Sequence, residues 1–336
     1  MKKYSIILPV RNGGEYVKEC VNSILAQTHD DFDLIVLDNC STDGTPEWIA
    51  SLKNNKIKLL FAPSPLSMEE SWARATSIEK NEFITILGHD DILYPNFLQT
   101  IDLLVHQHPS ASLYLTHFDL IDAEGKMIRA CKPMQATYTG DELLKGILSN
   151  TVDIMGTGYV MRSKDYDGVG GIPVKYPRLL YADFELWVNL ASKGYEVIAP
   201  EKCFAFRMHQ STAHSSKDSS LHDAMDIWID CLAELKQKNE KTRAVVDEYG
   251  NEFLLFYCKG FSHRLLRTGI EDREGMTVEK MIGQTKQWAK KIGLESRYHP
   301  EKIFSIRLAG IIDNSAILRK VFLLFKKVYP KSVIKK

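Results

Sequence analysis

The chain has 336 residues, with 43 Lys plus Arg against 43 Asp plus Glu and 44% hydrophobic residues. That length suits two domains, and that balance suits a globular chain with a large core rather than a disordered one. A formal net charge of zero argues against a general nucleic-acid binder, which carries a basic excess.

The first half alternates strand and helix. Residues 4–10 (YSIILPV) are an apolar, β-branched run that stops at Arg11-Asn12-Gly13-Gly14 and predicts a buried strand. Residues 15–26 place Val17, Val21, Ile24 and Leu25 at helical spacing. A second strand, 32–37, runs into the polar turn Asp38–Gly44, and a short helix with Pro46 in its first turn follows. Strands at 57–61 and 83–87 enclose a helix at 67–79, and the fourth strand ends at Gly88-His89-Asp90-Asp91 before a helix at 96–107. Apolar strands joined by helices through short polar turns predict a mostly parallel sheet covered on both faces. Ligands in such sheets bind outside the carboxyl ends of the strands, where Arg11-Asn12, Asp38–Asp43 and His89-Asp90-Asp91 all fall.

The middle is mixed. Strands are expected at 113–116, 159–161, 196–199 and 204–208, a capping box at Thr139–Glu142, and a helix at 183–192. From about Ser215 the strand signal ends and 221–236, 245–266 and 277–291 read as helices. The expected domains are therefore 1–215 and 216–336. After Asp313 no acid occurs, while Arg319, Lys320, Lys326, Lys327, Lys331, Lys335 and Lys336 interleave with Ile317, Leu318, Val321, Phe322, Leu324, Phe325 and Val328. Residues 314–336 read as a basic amphipathic segment suited to an anionic membrane surface.

The six cysteines contain no CxxC pair, so they read as buried thiols in a reducing compartment. No apolar run approaches the roughly 18 residues of a spanning helix. Met1–Tyr4 enters the first strand with no signal-peptide cleavage pattern. The expected location is cytoplasmic, peripheral on the inner face of the membrane.

Two adjacent carboxylates at a strand exit, Asp90 and Asp91, suit a divalent cation bridging a diphosphate. Alternatively they form a solvated turn. Asp38 is placed to accept hydrogen bonds from a base or ribose, or to close an Asx-turn. Asp183 opens a helix and reads as its cap. Arg207 and His209 share one side of a late strand, a pattern for anion or metal contact.

Together these segments resemble family 2 glycosyltransferases of the GT-A fold. Ser5–Val17 is similar to that family's first strand and turn, Cys20–Thr28 to its following helix, and Leu37-Asp38-Asn39-Cys40-Ser41-Thr42-Asp43-Gly44-Thr45 to its "DD-STDGT" turn. Trp72-Ala73-Arg74-Ala75 with His89-Asp90-Asp91 resembles the segment leading into the DXD motif. Ala182-Asp183-Phe184-Glu185-Leu186-Trp187 resembles the "ED-DLW" segment, and Phe206-Arg207-Met208-His209 follows in order. The likeness covers residues 4–215. It implies an α/β GT-A domain with a C-terminal helical region. It implies a metal-dependent, inverting transferase, a hexosyltransferase of bacterial surface-polysaccharide synthesis such as O-antigen or capsule. The donor would be a nucleotide-diphosphate sugar and the acceptor a glycan or lipid-linked glycan, with Mn²⁺ or Mg²⁺ as cofactor and no nucleic acid as partner.

Carried over residue by residue, Pro9, Arg11, Glu15, Asp38, Arg74, His89 and Asp90 would bind the nucleotide. Asp90 and His209 would hold the metal, Asp91 and Trp187 would meet the acceptor, and Asp183 would be the general base. The sequence departs from the family pattern at Gly88, where the first Asp of DXD would stand, and at Ala73 and Ala182. A Rossmann dehydrogenase would need G-x-G-x-x-G after the first strand, which Arg11–Tyr16 does not supply. A nucleotidyltransferase would want a Gly-rich basic first loop, and the alternative that stays open is a non-catalytic sugar- or nucleotide-binding module, favoured by Gly88 and Ala182 and separated from an enzyme by a donor-hydrolysis assay.

Overall fold

Every residue of strand β1, Tyr4–Val10, is buried, because its apolar side chains alternate between two helix-covered faces. In this computed structural model, which describes residues 2–208 and 218–328, β1 lies between two parallel neighbours, β2 (Phe32–Asp38) and β4 (Phe83–Ile86). Edge strand β3 (Ile57–Phe61) pairs parallel with β2 and is half exposed. Its Lys58 reaches Asp33 at 3.0 Å, placing charge on an edge that would otherwise invite pairing. Helices α1 (Gly14–Leu25), α2 (Thr45–Ser51) and α3 (Met68–Ser77) make the crossovers. Ser67 caps α3 through a reciprocal box with Glu70, the two bonds measuring 3.1 and 2.8 Å.

Beyond β4 the sheet becomes mixed. The remaining elements of this region are β5 (Ile92–Leu93), α4 (Phe97–Gln107), β6 (Leu113–Ile121), β7 (Met127–Ala130), β8 (Thr137–Tyr138), α5 (Gly140–Leu148), β9 (Val160–Arg162), α6 (Ser163–Gly168), α7 (Ala182–Lys193) and β10 (Glu196–Arg207). The sheet order is β3-β2-β1-β4-β9-β6-β10-β5, with β7 on β6 and β8 on β10. Strand β9 is antiparallel to both β4 and β6, while β6 and β10 run parallel.

Two strands differ from their sequence reading for a physical reason. The run expected to end at Thr116 continues to Ile121. Asp119, which broke the apolar pattern, is satisfied within the sheet by Lys202 Nζ at 2.8 Å and the Tyr94 hydroxyl at 3.0 Å. The two strands expected at 196–199 and 204–208 are one strand, β10, with register shifts on either side of Lys202 where Pro200, Glu201 and Lys202 are exposed. The Thr139–Glu142 capping box is present, with bonds of 2.8 and 3.4 Å.

The chain divides into two compact units. One holds the sheet, up to Leu143 and again from Val152 through β10; the other holds Leu144–Thr151 and the helices from Asp218 onward. The 144–151 segment belongs with the helices because it packs there, with Lys145 Nζ 5.3 Å over the Tyr249 ring. The second unit contains α8 (Asp218–Lys238), α9 (Glu240–Leu265), α10 (Val278–Lys291), α11 (Phe304–Asp313) and α12 (Ala316–Val328). Its core is built on Trp228, Phe253, Leu254, Cys258, Met281 and Trp288, all nearly or fully buried. Asp226 accepts from Trp288 Nε1 at 2.8 Å and so ties α8 to α10. Among the described residues no helix is long and apolar enough to cross a membrane.

Gly158 shows how tightly the sheet is packed near its functional edge. Its φ is +78°, and a Cβ there would come within 2.4 Å of the Phe204 ring. That ring cannot retreat, since it is stacked on Phe118 at 4.9 Å and meets Phe97 edge-on at 6.1 Å. Gly158→Ala is therefore expected to destabilise the sheet unit by roughly 2–4 kcal/mol, combining left-handed strain with overpacking. A urea-unfolding series on wild type and variant checks this, read as a lowered midpoint.

Candidate active site

The parallel register of β1, β2 and β4 brings their carboxyl ends to one edge of the sheet. The loops after β1 and β2 are stitched together there. The Asn12 amide donates to Ser41 Oγ at 2.9 Å, the Thr42 amide to Asn12 Oδ1 at 2.8 Å, and the Gly14 amide to Asp43 Oδ2 at 2.9 Å. Asn12 and Cys40 both hold positive φ, 53° and 55°, so each loop turns sharply at its strand exit. Asn39 clamps the loop after β3 by a pair of bonds with the Leu66 backbone, at 3.0 and 2.8 Å. The result is a pocket of about 250 Å³ lined by Pro9, Arg11, Asn39, Trp72 and His89 among others.

Asp38 lies behind that wall, 2% exposed. Its Oδ2 accepts from the Ser41 amide at 3.2 Å, whereas Oδ1 is buried with no hydrogen-bond partner. A buried acceptor left open is costly, and a ligand donor would relieve it. Arg74 is turned to a different task from phosphate contact. Its guanidinium donates to the carbonyls of Asp38 and Leu60, both at 2.9 Å, and so fixes the ends of β2 and β3. Burial lowers its pKa, partly countered by Asp38.

The turn after β4 is held from beneath. The Gly88 amide donates to Thr157 Oγ1 at 3.1 Å, and Asp91 Oδ1 accepts from the Arg207 amide at 2.9 Å. Asp91 is 1% exposed, so it faces the interior instead of an acceptor. Burial, then the neighbouring Asp90, pushes the Asp91 carboxyl well above the usual carboxylate range. Asp90, the other carboxylate of this turn, is half-buried. Arg207 also departs from its sequence reading. Its fully buried guanidinium donates to the carbonyls of Asp90 at 2.8 Å and Ala123 at 2.9 Å and to Glu19 Oε2 at 2.5 Å, and stacks over Tyr16 at 4.7 Å. It holds protein, with no capacity left for a substrate anion.

Asp183 sits two positions past the cap. The cap position of α7 is Tyr181, and Asp183 lies in the first turn, where its Oδ1 accepts from the Phe184 amide at 3.1 Å. Burial raises its pKa to about 6, moderated by the backbone amides of Phe184 and Asp183 itself. The approach to α7 is strained, since Arg178, Leu179 and Tyr181 all have positive φ, at 54°, 57° and 64°. Non-glycine residues in that region cost free energy and cluster at functional sites. The segment is braced by the Arg178 amide on Glu69 Oε1 at 2.5 Å and by Tyr176 on Glu185 at 2.6 Å.

Residues 155–159 link the turn after β4 to α7. Thr157 holds Gly88, Trp187 Nε1 donates to the Met155 carbonyl at 3.0 Å, and Tyr159 stacks on Trp187 at 4.2 Å. Trp187 is thus 2% exposed and part of the core, not an open wall for an acceptor. Sequence reasoning missed Thr157 and also Glu196, a fully buried carboxyl whose oxygens have no hydrogen-bond partner and which burial pushes up to about 8. Glu15 is exposed on α1 and pairs with Lys18 at 2.6 Å, outside the pocket lining. His209 lies outside the described residues. Among the described residues no group of three His, Cys, Asp or Glu is arranged to hold a metal alone. A single half-buried carboxylate fits a hard cation whose other ligands are phosphate oxygens and water, the usual way Mg²⁺ is held.

A mixed sheet of this order, flanked by helices and followed by a helical region, matches the GT-A fold of glycosyltransferases. The described fold superposes on S. aureus TarS 1-349 in complex with UDP-GlcNAc with a TM-score of 0.67, at 16% identity, over 99% of this chain and 95% of that one. For mannosyltransferase PcManGT from Pyrobaculum calidifontis in complex with GDP-Man and Mn²⁺ the TM-score is 0.55, at 13% identity, over 98% and 88%. At those identities the likeness speaks for the fold. Residues 5–167 match "Glycosyl transferase family 2", and the chain belongs to that family.

Among its relatives is the uncharacterized glycosyltransferase RC0461 of Rickettsia conorii, 28% identical over 248 residues. That alignment covers 70% of this chain but 39% of the relative, so the chain spans well under half of that protein's length. The uncharacterized glycosyltransferase RP339 of Rickettsia prowazekii is 24% identical over 320 residues, 91% of this chain and 92% of its own. The putative teichuronic acid biosynthesis glycosyltransferase TuaG of Bacillus subtilis is 26% identical over 220 residues, 63% of this chain and 82% of its own.

Gly88 has a steric reason for its place. A Cβ there would lie 2.8 Å from Asp90 Oδ1 and 2.8 Å from Asp91 Oδ2. Restoring an acidic first position is thus expected to displace the two carboxylates instead of adding a ligand. Gly88→Asp should accordingly destabilise the sheet unit by about 1–3 kcal/mol. A urea-unfolding series decides this, and an unchanged midpoint would contradict the steric account.

Proposed function

We propose that this chain is an inverting glycosyltransferase that moves one sugar, of the hexose class, from a nucleoside-diphosphate donor to a hydroxyl of a glycan or lipid-linked glycan in cell-surface polysaccharide synthesis. The observation that carries the reading is Asp183. It is a half-buried carboxylate with its pKa raised to about 6, on a strained helix start braced to the same 155–159 segment that supports the turn after β4. The names of TuaG and of TarS with its UDP-GlcNAc support the surface-polysaccharide setting and the donor class.

In this reading the pocket of Pro9, Arg11 and His89 receives the nucleoside, and Asp38 Oδ1 accepts from its base or ribose. Asp90 faces the diphosphate, where a bound Mn²⁺ or Mg²⁺ would stabilise the leaving group as a Lewis acid. Asp183 takes the proton from the acceptor hydroxyl, which is a poor nucleophile until it does so. A pKa near 6 leaves the carboxylate ionised at neutral pH yet more basic than an ordinary aspartate. Inversion follows if base and leaving group address opposite faces of the sugar.

Asp183→Asn is expected to lower transfer by roughly 10²–10⁴-fold while nucleotide affinity stays within twofold, read by a coupled nucleoside-diphosphate release assay and calorimetry. For wild type, kcat/KM should rise with pH through about 6, because the deprotonated form is the base. Stability carries the opposite sign. Asp183 binds its proton more tightly folded than unfolded, so the fold loses stability as pH rises from about 4 to about 6. The Asn variant should accordingly melt higher than wild type at pH 7.5, with the difference vanishing below pH 4.

The metal role has its own test. Asp90→Ala is expected to abolish the Mn²⁺-dependent part of UDP binding and leave the metal-independent part. Calorimetry with Mn²⁺ and with chelator measures both parts, and equal metal dependence in wild type and variant would remove Asp90 from the site.

A further inference from the structure

Helices α11 and α12 both leave apolar residues exposed, and α12 is packed inside out. In α12 the residue that is buried is Arg319, while Ile317, Leu318, Val321, Leu324, Phe325 and Val328 are exposed, Ile317 at 75% and Val328 at 70%. The spacing 317, 321, 324, 328 places these on one face, and Arg319 points from the opposite one. Helix α11 packs through the apolar Ile306 and Ala309, yet it also leaves Phe304, Leu308 and Ile311 exposed, at spacings of four and three.

The polar side explains why the apolar side is left outward. Arg319 donates to the Leu266 carbonyl at 3.5 Å and to the Thr268 carbonyl, just past the end of α9. Arg273 uses the same helix end, donating to the carbonyls of Leu265 and Thr268, and pairs with Asp313 at 2.5 Å. Unsatisfied carbonyls and the negative end of the helix dipole hold both guanidinium groups. Helix α12 is therefore docked through an arginine, so its apolar face is not consumed by the fold.

Charge selects the occupant of that face. From Phe304 to the last residue the sequence has one acid, Asp313, and its carboxylate is sealed in the Arg273 pair at 3% exposure. Arg307, Lys320 and Lys327 are exposed around the apolar residues, and Lys331, Lys335 and Lys336 follow in the sequence. A protein groove would meet these apolar residues without requiring the basic excess of residues 304–336. An anionic bilayer surface answers both, with acyl chains for Val321 and Phe325 and headgroups for the lysines.

We infer that α11 and α12 form a monotopic attachment surface for anionic lipid bilayers, starting at Phe304. This inference stands on the second unit alone and does not rest on the transfer reaction. Full-length protein is expected to co-sediment with vesicles of phosphatidylcholine containing 30% phosphatidylglycerol and to be released by 0.5 M salt. Val321→Glu with Phe325→Glu should lower the partition coefficient about 100-fold, since each removes an apolar side chain that the bilayer would take up. Lys320→Gln with Lys327→Gln should lower it about 30-fold on the anionic vesicles, roughly fivefold per basic residue, and leave binding to pure phosphatidylcholine unchanged.

Wild-type helical circular dichroism and a cooperative melt of each variant confirm that it is folded, and Ile317→Glu with Val328→Glu serves if the first apolar pair is not. Equal wild-type binding to neutral and anionic vesicles would overturn the inference. So would unchanged binding by the folded apolar variants. A wild-type dimer in sedimentation velocity that those variants render monomeric, without lipid binding, would assign the face to a second copy of the chain and also overturn it.

Discussion

The guanidinium of Arg207 fixes the back of the functional edge. It is 1% exposed, yet it carries a full charge and is matched by one carboxylate, on Glu19, and by carbonyls from two separate turns. A buried charge left without such partners costs several kcal/mol, so the elements that supply them are held to one geometry. Those elements are α1, the turn between β6 and β7, and the turn after β4. The Arg207 backbone amide adds the bond to Asp91, so the same residue that secures the turn's carbonyl also secures its inner carboxylate. The outer carboxylate, Asp90, is thereby held at a fixed place.

The parallel half of the sheet was legible in the sequence because each strand there is apolar on both faces and ends at a polar turn. β1, β2 and β4 needed only periodicity. The mixed half was harder to read because its strands contain polar residues that the sheet itself satisfies. Asp119 inside β6 and Pro200-Glu201-Lys202 inside β10 interrupt the pattern without interrupting the strand. Short antiparallel pieces such as β5 and β8 have two residues each and leave no periodic trace. Leu144–Thr151 belongs to the helical unit through packing across a long sequence separation, which no local pattern encodes.

At the site, residue types and their order along the chain pointed to the correct edge, but not to the direction each side chain takes. Asp90 and Asp91 are neighbours in one turn, and the bond from the Arg207 amide draws Asp91 inward while Asp90 stays half-buried. Arg74 and Arg207 looked like anion ligands because arginine commonly is one, whereas both are absorbed by backbone carbonyls. Thr157 had no signal at all, since a lone threonine between glycines reads as loop. The amphipathic pattern of α12 was visible, but its burial is reversed. Arg319 can reach the carbonyls beyond α9 only once the helices have packed, and that contact decides which face points outward.

Cys20 lies fully buried under the turn after β4, its sulfur 3.6 Å from the Gly88 carbonyl. Burial, with Asp91 and Asp90 nearby, pushes its thiol well above the ordinary cysteine range, so it is neither nucleophilic nor accessible while the turn is seated. Thiol-modifying reagents can reach it only in the fraction of molecules whose turn has lifted. The rate at which Cys20 is alkylated therefore counts those openings, and the chain carries a chemical clock for the breathing of its own active-site floor.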